Sequence, residues 1–247
     1  MFRKKFLVIG DSCLDIFKYC ESCRLAPDFP VPILNELRET TNGGMALNTY
    51  NNIKSLGQEC DIVTNDNWKT VTKTRFVHSS SNHTFFRVDS SCKIPRIDLD
   101  LINYNYEIII ISDYDKGFLS ESDIEVILSH HDCVFIDTKK LLGRWVEKSK
   151  FIKINFEEFN NSKDFIFKNT DIYKKIIKTA GPKGCYFQDK NYPVEETRVH
   201  DISGAGDSFL AAMASEYIKS KDIRKSIKFA NRCASEVVKF RGVTLIK

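Results

Sequence analysis

The segment Asp201-Ile202-Ser203-Gly204-Ala205-Gly206-Asp207-Ser208-Phe209 sets two glycines immediately before a carboxylate, at the start of an amphipathic helical pattern. The first turn of a helix offers unpaired N–H groups and the positive end of the helix dipole, and glycine lets a phosphate come close to that backbone. A carboxylate aimed at such a phosphate can take the proton of an attacking hydroxyl, which makes Asp207 a candidate general base. The same residues allow a plainer reading, in which Asp207 caps the helix and the glycines form a turn. The nonapeptide alone leaves both open.

The elements that must position it are legible as periodicities. Short apolar runs at residues 6–10, 107–111, 133–136, 151–154 and 175–178 read as strands, most of them ending at a polar or acidic residue. Segments with helical spacing lie between several of them, which predicts an α/β fold with a mostly parallel central sheet flanked by helices. Ligands of such sheets gather at the carboxyl ends of the strands, where Asp11, Asp113, Asp137 and Asn155 fall. Toward the end of the chain Ile223, Ile227, Ala230, Ala234 and Val237 recur at steps of four and three, predicting a helix from 222 to about 240 with Asn231 and Arg232 beside its apolar stripe.

Two regions have a different texture. Residues 31–37, and the pair 73–78 and 83–88 joined by 79–82, read as β strands and a hairpin outside the α/β alternation. They predict a small β-sheet lid, with segments at about 16–40 and 72–90, on a single domain spanning 1–247. The lid could exclude water from a transferable phosphoryl group and pair with a second copy through its open edge, or it could be a plain surface hairpin. Residues 161–169 are polar and read as a loop with a short helix.

Composition narrows the classes. With 42% hydrophobic and 28% charged residues in 247, the chain reads as an ordinary globular protein. A formal charge of +4, from 37 basic and 33 acidic residues, is too small and dispersed to argue for nucleic acid. No run approaches the roughly 20 apolar residues of a membrane helix, and residues 1–5 lead straight into a strand instead of a signal-peptide core, so a cytoplasmic location is expected. Cys20 and Cys23 have the spacing of half a zinc site, but no second pair follows, and His130, His131 and Cys133 straddle the start of a strand. The eight thiols are therefore expected to be reduced packing residues.

Gly10-Asp11 with Leu14-Asp15, then Gly43-Gly44 with Ala46 and Asn48, then Asn155 with Glu158, and finally DISGAGDSF together resemble the ribokinase-like (PfkB) carbohydrate kinases over nearly the whole chain. Within that family, VIGDSCLDIF, PVPIL, TNGGMALNTYNNIKSLG and ISDYDKGFLS look most like the D-glycero-β-D-manno-heptose 7-phosphate kinases. The resemblance implies ATP as phosphoryl donor with Mg²⁺, leaves a monovalent cation open, and implies a small-molecule sugar phosphate as partner with no nucleic acid or membrane. It makes Asp207 the base and gives the backbone N–H groups of Gly204, Ala205 and Gly206 the charge of the transferring phosphoryl group. Asn155 and Glu158 match the NxxE element that positions Mg²⁺ through waters.

For the sugar, the resemblance places Asp15, Gly43, Gly44 and Asn48 against hydroxyls and brings Asp113 to the substrate side. Lys73, Arg75, Arg87 and Lys116 become candidates for a phosphate already on the acceptor. Thr179, Gly181 and Gly184 fall in the small-residue phosphate and ribose loop, and Asn231, Gly242 and Thr244 near the adenine pocket. Three departures stand out. After 60–63 the family usually inserts a turn, a helix and a strand before its lid hairpin, whereas here 64–72 leads almost directly to it, so an α/β unit is expected to be missing. Asp115 occupies the small-residue position of DYxKG and is expected to weaken phosphate binding. The sequence stops soon after Thr244, so no fused nucleotidyltransferase domain is expected.

The leading expectation is an ATP-dependent kinase acting on the anomeric hydroxyl of a heptose 7-phosphate, feeding nucleotide-activated heptose for lipopolysaccharide. Another PfkB sugar kinase, of fructose or ribose type, and a non-catalytic sugar or nucleotide sensor are the alternatives. A pure binder has no need of Asp207, which argues against the last.

Overall fold

The computed structural model describes residues 4–90 and 92–247; residues 1–3, expected to lead toward the first strand, lie outside the described residues. The elements run β1 Lys4–Ile9, β2 Ser12–Glu21, β3 Asn35–Met45, α1 Ala46–Ser55, β4 Cys60–Val63, β5 Thr72–His78 and β6 Thr84–Asp89. They continue with β7 Tyr106–Asp113, α2 Glu121–His130, β8 Val134–Thr138, β9 Phe151–Asn155, α3 Phe156–Lys168, α4 Thr170–Tyr173 and β10 Ile176–Thr179. β11 Cys185–Phe187, β12 Lys190–Tyr192, α5 Ala205–Ser220 and α6 Ile223–Val237 complete the order.

The main sheet has the order β12-β11-β10-β9-β8-β7-β1-β4, parallel from β10 to β4 and antiparallel at β11 and β12. Its strands are apolar on both sides because both faces are covered. Ile109, Ile111, Ile136 and Ile154 turn to the face packed by Ile124 and Ile127 of α2 and Ile166 of α3. Ile108, Ile110 and Phe135 turn to the other, against Ile53 of α1, Leu210 and Met213 of α5 and Ile227 of α6. Each such side chain, fully buried, contributes on the order of 1.5–3 kcal/mol, so the strands are held firmly enough to fix what stands at their ends. This is the ribokinase-like α/β architecture the sequence predicted.

The second sheet, β3-β2-β5-β6, pairs β2 with β5 in parallel and closes each flank with an antiparallel strand. It rises directly from the base: two residues separate β1 from β2, none separates β3 from α1, and eight separate β4 from β5. β4 is accordingly the last strand of the main sheet on that side, and the short connection at 64–71 follows it directly.

Three sequence expectations shift. The strand expected from 31 starts only at Asn35, because Pro30 and Pro32 have no N–H to give a ladder. The polar stretch 161–169 is the C-terminal part of α3 and its cap, a helix whose Phe159, Ser162 and Ile166 are buried at helical spacing while most residues between them face solvent. The last helix ends at Val237, three residues early, where Lys239 and Phe240 donate to carbonyls three residues back and tighten the turn. Among the described residues no helix is long and apolar enough to cross a membrane. Cys20 is buried and Cys23 exposed, and no cluster of three metal-ligating side chains occurs among the described residues.

Candidate active site

Asp207 is the third residue of α5 and is buried. Its carboxylate does not turn back to cap the helix. Oδ1 accepts from Tyr114 Oη at 2.7 Å and Oδ2 from Asn48 Nδ2 at 2.8 Å. Burial raises its pKa to about 6, against the pull of those two donors. No side chain caps α5. The N–H of Ala205 goes to Ile202 O at 3.2 Å, so of the three amides expected to meet phosphate this one is engaged in the turn. Gly204 enters the helix at φ 78°, and a Cβ there would lie 2.6 Å from Asn48 Nδ2, so glycine serves both the turn and the approach of Asn48.

A buried ion pair supports the same turn. Lys153, in the middle of apolar β9, places Nζ 2.6 Å from Asp137 Oδ2 at the end of β8, and a Cβ on Gly206 would lie 2.9 Å from that ammonium. Lys139, just past β8, contacts the Glu158 carboxylate and lies 5.4 Å from the Tyr114 ring centre. Asn155 and Glu158 form a reciprocal capping box at the start of α3, each bonding the other's backbone N–H.

These residues suit a hydrated Mg²⁺ that keeps several waters, not an all-protein cage. Both carboxylate oxygens of Glu158 already have partners, whereas Asp137 Oδ1 is buried with no hydrogen-bond partner.

The lid's inner face carries the charged row. Asp15 pairs with Arg75 at 2.8 Å, Arg75 lies opposite Arg87 across β5 and β6, and Lys73 approaches the Tyr114 ring at 5.0 Å. Gly44, opposite Cys13 on β3, leaves room for the Asp15 carboxylate, which a Cβ would meet at 2.2 Å. Gly43 is likewise within β3 and packs against Leu47. Arg87 pairs with Asp89 and is half exposed; Lys116 is exposed and its backbone N–H donates to Asp11. Farther in, Phe17, Tyr19 and Val77 pack with Val243. Arg241 donates to the carbonyls of Ser79 and Ser80 at 2.6 Å each, and Asn82 to His200 O at 2.6 Å, so the lid tip rests on the loops flanking the glycine turn.

Four expected ligand residues have contacts within the protein. Asn48 donates to Asp207 and accepts from Asn52, so its amide holds one oxygen of the carboxylate. Asp113 is buried, its oxygens taken by Lys140, Thr138 Oγ1 and the N–H of Asp115. Asn231 donates to Tyr192 O at 2.8 Å and ties α6 to β12. Gly184 turns β10 into β11 with no room for a Cβ beside Tyr192 O. The charge of Asp115, expected to face a substrate phosphate, is paired with Lys140 at 2.7 Å.

Thr179 and Gly181 line a cavity of about 660 Å³ with Asn155, Phe156, Lys178 and Lys183, a size that suits a small-molecule ligand. Gly242, at φ 72°, donates to Asp201 Oδ2 and holds the loop next to Tyr19.

Sequence reading missed Tyr114, Lys139 and Lys153. A lysine inside FIKIN was the available signal, since a charge in a fully buried strand must be paired or used. Tyr114 lay inside a quoted motif with nothing to mark its partner 93 residues away.

A glycine turn opening a helix, a buried carboxylate in its first turn, and a lid sheet over the carboxyl ends of a parallel sheet together make the ribokinase-like fold. The family model described as "pfkB family carbohydrate kinase" matches residues 118–246, and the chain belongs to that family. Among curated proteins it is similar to the "Bifunctional protein HldE" of Helicobacter pylori strain J99, 29% identical over 298 residues covering 98% of this chain and 64% of that protein. The HldE of Nitratiruptor sp. is 25% identical over 287 residues, covering 96% and 62%. The chain thus spans somewhat under two thirds of these relatives, and both alignments are longer than the chain, as a missing internal segment requires. Among solved structures, Thermotoga maritima ribokinase superposes with TM-score 0.75 at 16% identity over 98% of this chain and 95% of that one. The Methanocaldococcus jannaschii nucleoside kinase does so with 0.71 at 19%, over 97% and 93%.

Proposed function

We propose that this chain transfers the γ-phosphoryl group of ATP to the anomeric hydroxyl of a heptose that already carries a phosphate at position 7. The hydroxyl proton passes to an Asp207 carboxylate oxygen, the hydroxyl oxygen bonds to the γ-phosphorus, and the bond from that phosphorus to ADP breaks. The observation that carries this reading is Asp207 itself, buried beside an uncapped helix start and held by two donors. Gly204 and Gly206 would receive the phosphoryl oxygens, aided by the fixed charge of Lys153. Asn155, Glu158 and Asp137 would hold Mg²⁺ through its waters. When bound, it would neutralise charge on the nucleotide phosphates.

The 98% coverage by HldE supports a phosphorylated heptose, and the Lys73, Arg75 and Arg87 row supplies cations suited to its phosphate. The product would feed nucleotide-activated heptose for surface polysaccharide, and the reaction belongs in the cytoplasm, where ATP is. A second copy would pack on the lid's outer face, where Phe76 stacks on Phe86 at 4.6 Å beside half-exposed Val88, and light scattering reads that dimer.

The test is ADP release with Mg-ATP across D-glycero-D-manno-heptose 7-phosphate, fructose, fructose 6-phosphate, ribose and adenosine, with Asp207→Asn alongside. Selective turnover of the heptose phosphate that falls by about 10²–10⁴-fold in the variant is expected. Selective turnover of another acceptor overturns the heptose, and binding without turnover overturns the kinase in favour of a sensor.

A further inference from the structure

Asp207 is reached from three sides. Asn48 of α1 donates to one oxygen and Tyr114, on the turn after β7, to the other. Asp137 at the end of β8 and Lys153 of β9 act on it through space, as do Lys139 beyond β8 and Cys13 of β2. Tyr114 combines its direct hydrogen bond with a backbone clamped by a buried carboxylate outside the α5 turn. Asp11, fully buried at the end of β1, accepts from the N–H of Tyr114 and from that of Lys116, both at 2.7 Å. Lys73 and Lys139 approach the Tyr114 ring, 5.0 and 5.4 Å from its centre. Burial and the neighbouring Asp207 push the phenol pKa well above its ordinary value, so the hydroxyl remains a donor throughout the working range.

We infer that Tyr114 is a positioning residue for the base: its hydroxyl fixes the rotation of the Asp207 carboxylate and favours its ionised form, and Asp11 holds the turn that aims it. This rests on the reading of Asp207 as the base. A donor to the charged form lowers a carboxyl pKa, and a carboxylate pinned at both oxygens presents its remaining lone pairs in a fixed direction to an acceptor hydroxyl. Phe at this position keeps the ring beside the two lysines and deletes only the donor. The Asp207 pKa should then rise by about one unit, the size set by losing one hydrogen bond to a charged group.

The test has an arm that needs no turnover. The side-chain carboxyl carbon resonance of Asp207, assigned by its loss in D207N, is titrated in wild type and Y114F, with thermal unfolding confirming that both are folded. An upward shift of about one pH unit in Y114F is the expected result; an unchanged or lower value overturns the inference. In parallel, kcat/KM for ADP formation is followed from pH 5 to 9. The acid limb of Y114F should move up with the titration, giving about a fivefold deficit at pH 6 that grows toward about tenfold at pH 5 and shrinks to within about threefold at pH 8.5. A deficit equal at every pH overturns it and leaves only a structural role. If the resonance shifts but no acceptor is phosphorylated, the kinase reading fails while the positioning of Asp207 stands.

Discussion

Lys153 Nζ lies 2.6 Å from Asp137 Oδ2, and this pair, with 5% and 4% of its side chains exposed, is set against the glycine turn of α5. Removing two charges from water costs several kcal/mol for each, which only close pairing offsets. A fixed ammonium there needs no reorganisation when negative charge develops at the turn.

Lys153→Met leaves Asp137 buried without its ion-pair partner. It should lower unfolding free energy by about 3–5 kcal/mol and slow phosphoryl transfer at least about a hundredfold. Adding Asp137→Asn should recover much of the stability and none of the rate. Urea unfolding and ADP release read the two separately, and parallel recovery of both would argue against a role for the ammonium in transfer.

The raised pKa of Asp207 has a sign that stability measurements can read. The folded chain holds this proton up to about pH 6, against an ordinary value of 3.8. The corresponding stability is fully present below about pH 4 and is lost as pH rises through 6, because the ionised carboxylate is then buried. Asp207→Asn should therefore be more stable than wild type at pH 8, by about 1–2 kcal/mol once the mismatch with the Asn48 amide is included, with the advantage fading toward pH 4. Chemical denaturation at the two pH values checks this.

Gly204→Ala forces an L side chain into a left-handed conformation and drives its Cβ into the Asn48 amide. A loss of about 1–2 kcal/mol in stability is expected from the backbone alone. Turnover should fall further than that, because Asn48 must release Asp207 to make room. Unchanged kcat would mean that Asn48 does not orient the base.

Arg241→Ala removes both donors to the lid tip. Amide exchange at residues 79–83 should accelerate at least about tenfold, since two charge-assisted bonds are lost. KM for the sugar should rise with kcat little changed and the melting temperature nearly constant. Unaltered exchange would show that Val77 and Val243 hold the lid without it.

The main sheet was readable because strands buried on both faces are written as unbroken apolar runs, such as EIIII at 107–111. The last helix was readable because its apolar stripe repeats every three or four residues. The glycine turn could be located but not explained from sequence, since Asn48, Tyr114 and Asp207 meet only when α1, the turn after β7 and α5 converge. α3 escaped notice because only Phe159, Ser162 and Ile166 of its 13 residues are buried, so solvent-facing polarity hid its period. Asp113 and Asn231 were chemically suitable ligands, and no local pattern discloses that Lys140 and Tyr192 already occupy them.

The short crossings between base and lid bear on how the acceptor is captured. With two, zero and eight residues in three of them, the lid sheet has few conformations to explore even before anything binds. Most of the disorder that a long-tethered flap would surrender at each encounter is removed once, when the chain folds. An acceptor of the proposed reaction would then meet a lid already close to its bound shape, with selectivity set by fit at entry more than by a large closing motion.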